Sequence, residues 1–189
     1  MIIKDWKKDI LTIPNILSLF RLVLIPVYVT IFLQGNYILA AIILAASCLT
    51  DMIDGKIARH FNMISTLGKF LDPVADKATQ FAMLMCLTMQ YPVLWGLAIL
   101  FIIKEGFQLI AGLVMFRKGK MLIGALLTGK ICTTVLFLSL IIMVLMPGLP
   151  EQAVNIITLV DGIVMGIAFI HYAITYYKKT PMIQNIPEE

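Results

Sequence analysis

Long apolar runs separated by short polar breaks occupy most of the chain from residue 13 onward. Six of these runs are long enough for a helix that crosses a bilayer, which needs about 20 apolar residues. The predicted helices are Pro14–Leu33, Tyr37–Arg59, Thr66–Met89, Val93–Phe116, Met121–Met146 and Ala153–Tyr176. Turn residues such as Gln34-Gly35-Asn36 and Pro147-Gly148 separate them. The pattern predicts an all-α integral membrane fold, with a six-helix bundle over residues 13–178.

The two ends of the chain differ from this pattern. Residues 1–12 alternate apolar and charged positions around Trp6, which predicts an amphipathic helix lying at the membrane surface. Residues 179–189 are mostly polar and are predicted to form a tail.

Composition supports the membrane class. The 189 residues are 60% hydrophobic and 14% charged, whereas soluble domains have about 45–50% apolar and about 25% charged residues. The three cysteines, Cys48, Cys86 and Cys132, all lie inside apolar runs. Their spacing predicts buried thiols without a disulfide framework or a metal site.

The distribution of positive charge predicts the orientation. Lysine and arginine precede the first helix, flank the second-to-third loop, fill the fourth-to-fifth loop and follow the sixth helix, while the other loops have none. This bias predicts a cell-membrane protein with both termini on the cytoplasmic side. The net charge of +4 is then explained by topology and by attraction to anionic lipid, and no nucleic-acid partner is predicted.

Four aspartates lie at the cytoplasmic ends of two consecutive predicted helices. Asp51 and Asp54 are three residues apart, and Asp72 and Asp76 are four apart, so each pair occupies one helical face. A carboxylate at membrane depth costs free energy, so its presence there indicates a function. Oxygen ligands favour Mg²⁺ or Mn²⁺, and such a site suits a phosphate-bearing substrate. The alternatives are a structural ion cluster and the ion pathway of a cation transporter, although transporter sites usually lie nearer the midplane.

Two runs carry a family resemblance: Asp51-Met-Ile-Asp54-Gly55-Lys-Ile-Ala58-Arg59 and Gly68-Lys-Phe-Leu-Asp72-Pro-Val-Ala-Asp76. Together they resemble the signature of the CDP-alcohol phosphotransferase (CDP-alcohol phosphatidyltransferase) family. The segment from Ile13-Pro14-Asn15 to Arg21 resembles the first helix of that family. The resemblance implies a homodimeric, six-helix membrane enzyme with two divalent ions. It also implies that CDP-diacylglycerol donates a phosphatidyl group and that CMP is released.

The resemblance also implies roles for individual residues. Metal ligands would be Asp51, Asp54, Asp72 and Asp76, and Asp76 would also act as the general base. The residues implied for binding the CDP group are Asn15, Gly55, Ala58, Arg59, Ser65 and Gly68. For Arg59, an anchor at a helix end is the alternative.

The acceptor alcohol is predicted from two further stretches. Leu71–Lys77 and Gly129–Thr133 are similar to bacterial phosphatidylglycerophosphate synthases, whose acceptor is glycerol 3-phosphate. The alternative is a CMP-forming cardiolipin synthase, whose acceptor is phosphatidylglycerol. An anionic acceptor needs cationic partners, and the candidates are Lys104, Arg117, Lys118, Lys120 and Lys130.

Other charged positions inside the predicted helices leave alternatives open. Arg21 either extends to the membrane surface or faces the bundle near the nucleotide. Lys104 and Glu105 point about 100° apart, so each is expected to need a separate partner, for instance Lys130 for Glu105. Asp161 and His171 on the sixth predicted helix are interpreted as structural.

Overall fold

The computed structural model describes residues 13–60, 68–117, 120–122, 127–177 and 183–185. Within these ranges it contains six helices and a two-stranded antiparallel ribbon. The helices are α1 Ile13–Leu33, α2 Tyr37–His60, α3 Gly68–Thr88, α4 Leu94–Arg117, α5 Leu127–Leu145 and α6 Glu151–Tyr177. The strands are β1 Lys120–Leu122 and β2 Ile183–Asn185. The predicted surface helix over residues 1–12 lies outside the described residues.

The six predicted helices are confirmed, and one predicted boundary is wrong. The fifth helix was expected from Met121, but Met121 lies in β1, opposite Gln184 of β2. Backbone pairing with β2 takes the hydrogen bonds that a helix would use, and among the described residues α5 begins at Leu127. The segment predicted as a tail therefore contributes a strand, and the fold includes a short ribbon that an all-α prediction leaves out.

The turn between α1 and α2 shows why the chain breaks there. Gly35 has φ of +78°, a left-handed conformation that costs glycine little, and its N–H donates to the Phe32 carbonyl at 2.9 Å. The Asn36 side chain then accepts a hydrogen bond from the Leu39 N–H at 3.2 Å. Asn36 therefore caps the start of α2.

Four of the described helices have the length and composition of membrane spans: Asn15–Leu33, Leu94–Met115, Leu127–Leu145 and Glu151–Tyr177. Many of their large apolar side chains are exposed, for example Leu109 and Leu159, each at 64%. This exposure is expected where lipid tails are the surrounding medium. The chain is a membrane protein. Among the described side chains of α2, the apolar stretch is Tyr37–Ser47.

The chain forms two compact units. The first comprises residues 1–87 and 144–147, and the second comprises residues 88–143 and 148–189. In the first unit α1 packs against α2, and buried side chains include Tyr28, Phe32 and Leu44. In the second unit α4 packs against α6 and β1. Cys86 and Cys132 are buried and outside any disulfide, as predicted, and the Cys48 side chain is not described.

Candidate active site

One face of α1 is polar and buried inside the first unit. Asn15, Ser18 and Arg21 follow one another at intervals of three residues, and their exposed fractions are 0%, 0% and 2%. Positions three apart lie close together on a helix surface. Polar groups buried this completely are costly unless they have partners. The face must therefore contact polar groups on a neighbouring helix.

That partner is Asp72 of α3. The Ser18 hydroxyl donates a short hydrogen bond to Asp72 Oδ1, and Arg21 Nη2 lies 3.8 Å from the same oxygen. The Asp72 side chain nevertheless keeps 45% of its surface exposed. Two residues of α1 therefore fix a carboxylate that a ligand can still reach.

This geometry decides between the two interpretations of Arg21. The guanidinium faces the interior of its unit and pairs with a signature aspartate, so extension to the membrane surface is wrong. Ser18 is a residue that sequence reasoning missed. A signal was available, because Ser18 lies one turn from both Asn15 and Arg21 on the same predicted face.

The remaining signature residues lie on α2 and α3. Asp76 is half-buried on α3, one turn after Asp72. Asp51, Asp54, Gly55, Ala58 and Arg59 occupy the last turns of α2, and Gly68 begins α3; their backbone is helical, while their side chains are not described. Ser65 lies outside the described residues. The structure therefore places Asp72 and Asp76 together and leaves the α2 side chains as predictions.

The chemistry of these donors fits a hard divalent cation. Asp72 and Asp76 offer only carboxylate oxygens, which Mg²⁺ and Mn²⁺ prefer. Within the described part of the chain no three His, Cys, Asp or Glu side chains form a metal-binding group. A complete ligand set would therefore require the aspartates of α2, whose helix packs against α1.

The pair Lys104 and Glu105 on α4 corrects a second expectation. Lys104 is 2% exposed, and its Nζ lies 2.6 Å from Glu105 Oε1. The prediction gave these neighbours separate partners and missed their pairing with each other, which the flexible lysine stem allows by bending back across the roughly 100° between them. Lys130 is exposed on α5 and is not the ion-pair partner of Glu105.

The profile of the CDP-alcohol phosphatidyltransferase family matches residues 11–174. This range begins just before α1 and ends in the last turn of α6, so it contains every signature residue named above. The chain belongs to this family. The resemblance found in the sequence is thereby confirmed, and Ser18 and Arg21 are seen to contact a residue of the family signature.

Similar members of the family are named either for phosphatidylglycerophosphate synthesis or for cardiolipin synthesis. A probable phosphatidylglycerophosphate synthase of Mycobacterium tuberculosis is 30% identical over 164 residues, covering 84% of this chain and 78% of the relative. A CDP-diacylglycerol–glycerol-3-phosphate 3-phosphatidyltransferase of Aquifex aeolicus is 29% identical over 173 residues, covering 89% and 97%. A CMP-forming cardiolipin synthase of Streptomyces coelicolor is 34% identical over 116 residues, covering 58% and 54%.

The family match also covers polar contacts between α5 and α6. Thr128 Oγ1 and His171 Nδ1 are hydrogen-bonded at 2.8 Å, and Ser139 donates to Asp161 Oδ1 at 3.0 Å. These contacts agree with the structural interpretation of His171 and Asp161. Two of the remaining acceptor candidates lie on described elements. Arg117 is exposed at the end of α4 and Lys120 begins β1, whereas Lys118 lies outside the described residues.

Proposed function

We propose that this family member transfers the phosphatidyl group of CDP-diacylglycerol to glycerol 3-phosphate, releasing CMP and forming phosphatidylglycerophosphate. The observation that carries the proposal is the Asp72 carboxylate, held by Ser18 and Arg21 with Asp76 one turn away, inside the family signature. Two relatives named for glycerol 3-phosphate or phosphatidylglycerophosphate align over 78% and 97% of their own length, while a third, from Escherichia coli, aligns over 47%. Cardiolipin synthesis is the second candidate, supported by CMP-forming cardiolipin synthases that match over 116 residues.

We further propose that Asp51, Asp54, Asp72 and Asp76 hold two divalent ions, Mg²⁺ or Mn²⁺. Bound ions would neutralise negative charge on the diphosphate of the donor. Ser18 and Arg21 would keep Asp72 in one orientation, which matters because metal sites tolerate little displacement of a ligand.

The reaction that these residues would support is a displacement at phosphorus. The acceptor hydroxyl oxygen would form a bond to the phosphorus that carries diacylglycerol, and the bond from that phosphorus to the CMP oxygen would break. Asp76 would take the hydroxyl proton, and CMP would leave with the bonding electron pair. A carboxylate in this role must lie within hydrogen-bond distance of the acceptor hydroxyl.

The nucleotide would bind along the same two helix ends. Gly55, Ala58 and Gly68 are small and would leave room for cytidine, while Arg59 would pair with its phosphates. Asn15 and Ser65 would complete the pocket. The position of Asn15 supports this proposal, because it lies one turn before Ser18 on the buried polar face of α1.

For the acceptor phosphate, the exposed cations Lys130 and Arg117 are proposed first, followed by Lys118 and Lys120. Lys130 is exposed, and no described carboxylate is paired with it. Lys104 is a proposed partner only if the acceptor displaces Glu105, because the 2.6 Å ion pair already compensates its charge.

We also propose that all six helices cross the membrane and that the enzyme is a homodimer in the cell membrane. The 24 residues of α2 and the 21 residues of α3 have a sufficient rise, at about 1.5 Å per residue. The basic loops predict that both termini and the signature lie on the cytoplasmic side, with residues 1–12 as a surface helix.

The acceptor is tested with purified protein, CDP-diacylglycerol and Mg²⁺. Lipid products are analysed with glycerol 3-phosphate or phosphatidylglycerol as the acceptor. Phosphatidylglycerophosphate is expected with the first acceptor, and no cardiolipin with the second. Cardiolipin alone would replace the proposal with its alternative. Metal transport into vesicles without any CMP release would favour the cation transporter instead.

A further inference from the structure

Two apolar grooves of similar size run between α4 and α6, one at each end of the helix pair. The groove at the carboxyl ends, here the C-terminal groove, is lined by residues that include Phe107, Ala111, Val114, Ala173 and Tyr176 and has a volume of about 620 Å³. Both this volume and the volume of the other groove, about 590 Å³, lie in the range of ligand pockets, about 300–1,000 Å³.

Aromatic rings and small side chains both line the C-terminal groove. The Phe107 ring meets the rings of Phe169 and Tyr176 edge-on, with centroid distances of 5.2 and 6.2 Å. Ala111 and Ala173 contribute only methyl groups to the lining. The side chains that line an empty apolar groove lack dispersion contacts on one side. A lipid acyl chain is apolar and flexible, so it can fill such a groove in a bilayer.

The charge at each mouth distinguishes the two grooves. Arg117 is exposed one turn after Val114, just beyond the residues that line the C-terminal groove, and β1 begins at Lys120. The other groove, lined by Gly96, Leu97 and Leu159 among others, ends near Glu151, the exposed first residue of α6. The sequence of the two loops at that end contains no lysine or arginine. The charged residue one turn beyond the lining is therefore a cation at the C-terminal groove and an anion at the other groove, and the cation favours a phosphate group at the C-terminal groove.

We propose that the C-terminal groove is a binding site for an anionic glycerophospholipid, with one acyl chain against Ala111 and Ala173 and the phosphate at Arg117. Tyr176 and Tyr177 then lie at the level where membrane proteins place aromatic rings, between the tails and the head groups. This lipid is a resident ligand and is distinct from the donor lipid. With its phosphate at Arg117, the acceptor phosphate of the proposed function would be left to Lys130 and the other candidate cations.

The test is thermal unfolding of the full chain in mild detergent, with no substrate, during titration with phosphatidic acid or with phosphatidylcholine of identical chains. Phosphatidic acid carries a phosphate and two acyl chains but no alcohol, so it cannot react as an acceptor. We expect phosphatidic acid to raise Tm more than phosphatidylcholine does. Equal shifts from the two lipids would overturn the proposal.

Three variants locate the site. Ala111→Trp fills the C-terminal groove and should abolish the difference between the two lipids. Arg117→Gln should weaken the apparent affinity for phosphatidic acid about fivefold, because a cation near the membrane surface contributes about 1 kcal/mol to anionic-lipid binding. Gly96→Leu fills the other groove and should leave the difference intact. Retention of the difference in Ala111→Trp, or its loss in Gly96→Leu, would contradict the assignment.

Native mass spectrometry of the unmodified chain gives a readout that needs no variant. A phosphatidic acid adduct should persist when excess CDP-diacylglycerol is added. Displacement of the adduct by the donor lipid would show that phosphatidic acid occupies the donor site, and the proposed groove site would be rejected.

Discussion

Replacement of Ser18 by alanine removes one hydrogen bond to Asp72 and leaves the signature itself unchanged. The Ser18 hydroxyl is fully buried, whereas the Asp72 side chain is 45% exposed. A hydrogen bond to a charged group contributes about 1.5–3 kcal/mol to stability. Since water can replace the hydroxyl at the exposed side of Asp72, the lower end of that range, about 1.5 kcal/mol, is expected for the loss of folding stability.

The same substitution should raise the metal concentration that the enzyme needs. Without Ser18, Arg21, at 3.8 Å, is the one remaining partner of Asp72 Oδ1 among the described side chains. Loss of a group that orients a metal ligand typically weakens metal affinity 10- to 100-fold. Because Arg21 remains, a change of about tenfold is predicted for Mn²⁺ binding. Ser18→Thr keeps the hydroxyl and should restore most of the affinity.

The assay combines Mn²⁺ binding, measured by isothermal titration, with thermal unfolding of the same samples. Ser139→Ala is the matched control, because it also removes a serine hydrogen bond to an aspartate, at 3.0 Å to Asp161. The control should lower Tm while leaving Mn²⁺ affinity unchanged. If Ser18→Ala and Ser139→Ala weaken Mn²⁺ binding equally, or neither does, Ser18 does not position a metal ligand and the reasoning is refuted.

Four further predictions concern single side chains. Asp76→Asn should lower turnover at least 100-fold while donor binding persists, and near-normal turnover would exclude the general base. Lys130→Ala should raise the KM for glycerol 3-phosphate with little change in kcat, and an unchanged KM would remove Lys130 from the acceptor site. Gly129→Ala should destabilise the fold by about 1–3 kcal/mol, because the new Cβ would lie 2.9 Å from Cε2 of the buried Tyr172 ring; an unchanged Tm would contradict this packing. Tyr28→Phe should change stability by less than about 1 kcal/mol, since the buried Tyr28 hydroxyl has no hydrogen-bond partner among the described residues; a large loss would reveal one.

Helix positions could be predicted from the sequence because a helix that crosses the bilayer needs about 20 apolar residues. The turn at Gly35 and Asn36 was also predictable, since glycine and asparagine have specific backbone and capping preferences. The start of α5 could not be predicted from the sequence. Its predicted first residue, Met121, pairs with Gln184 more than 60 residues later in the chain, and no local pattern encodes such a contact.

For the candidate site, too, some features could be predicted from the sequence and others could not. The spacing of the aspartates predicted two helical pairs, and Asp72 and Asp76 lie one turn apart on α3 as expected. The partners of Asp72 depend on how α1 is rotated against α3, which apolar periodicity alone does not fix when both helices are apolar on several faces. The ion pair between Lys104 and Glu105 was missed because spacing rules describe Cβ directions, while a lysine ammonium lies at the end of four flexible carbons.

Measuring CMP release and phosphatidylglycerophosphate formation together tests the proposed metal-dependent transfer to glycerol 3-phosphate. Purified protein is supplied with CDP-diacylglycerol and glycerol 3-phosphate, with and without Mg²⁺ or Mn²⁺. We expect equal amounts of the two products, no reaction without a divalent ion, and almost no reaction with the Asp72→Asn variant. Equal product formation in the presence of a chelator, or full activity of Asp72→Asn, would contradict the assignment of this site.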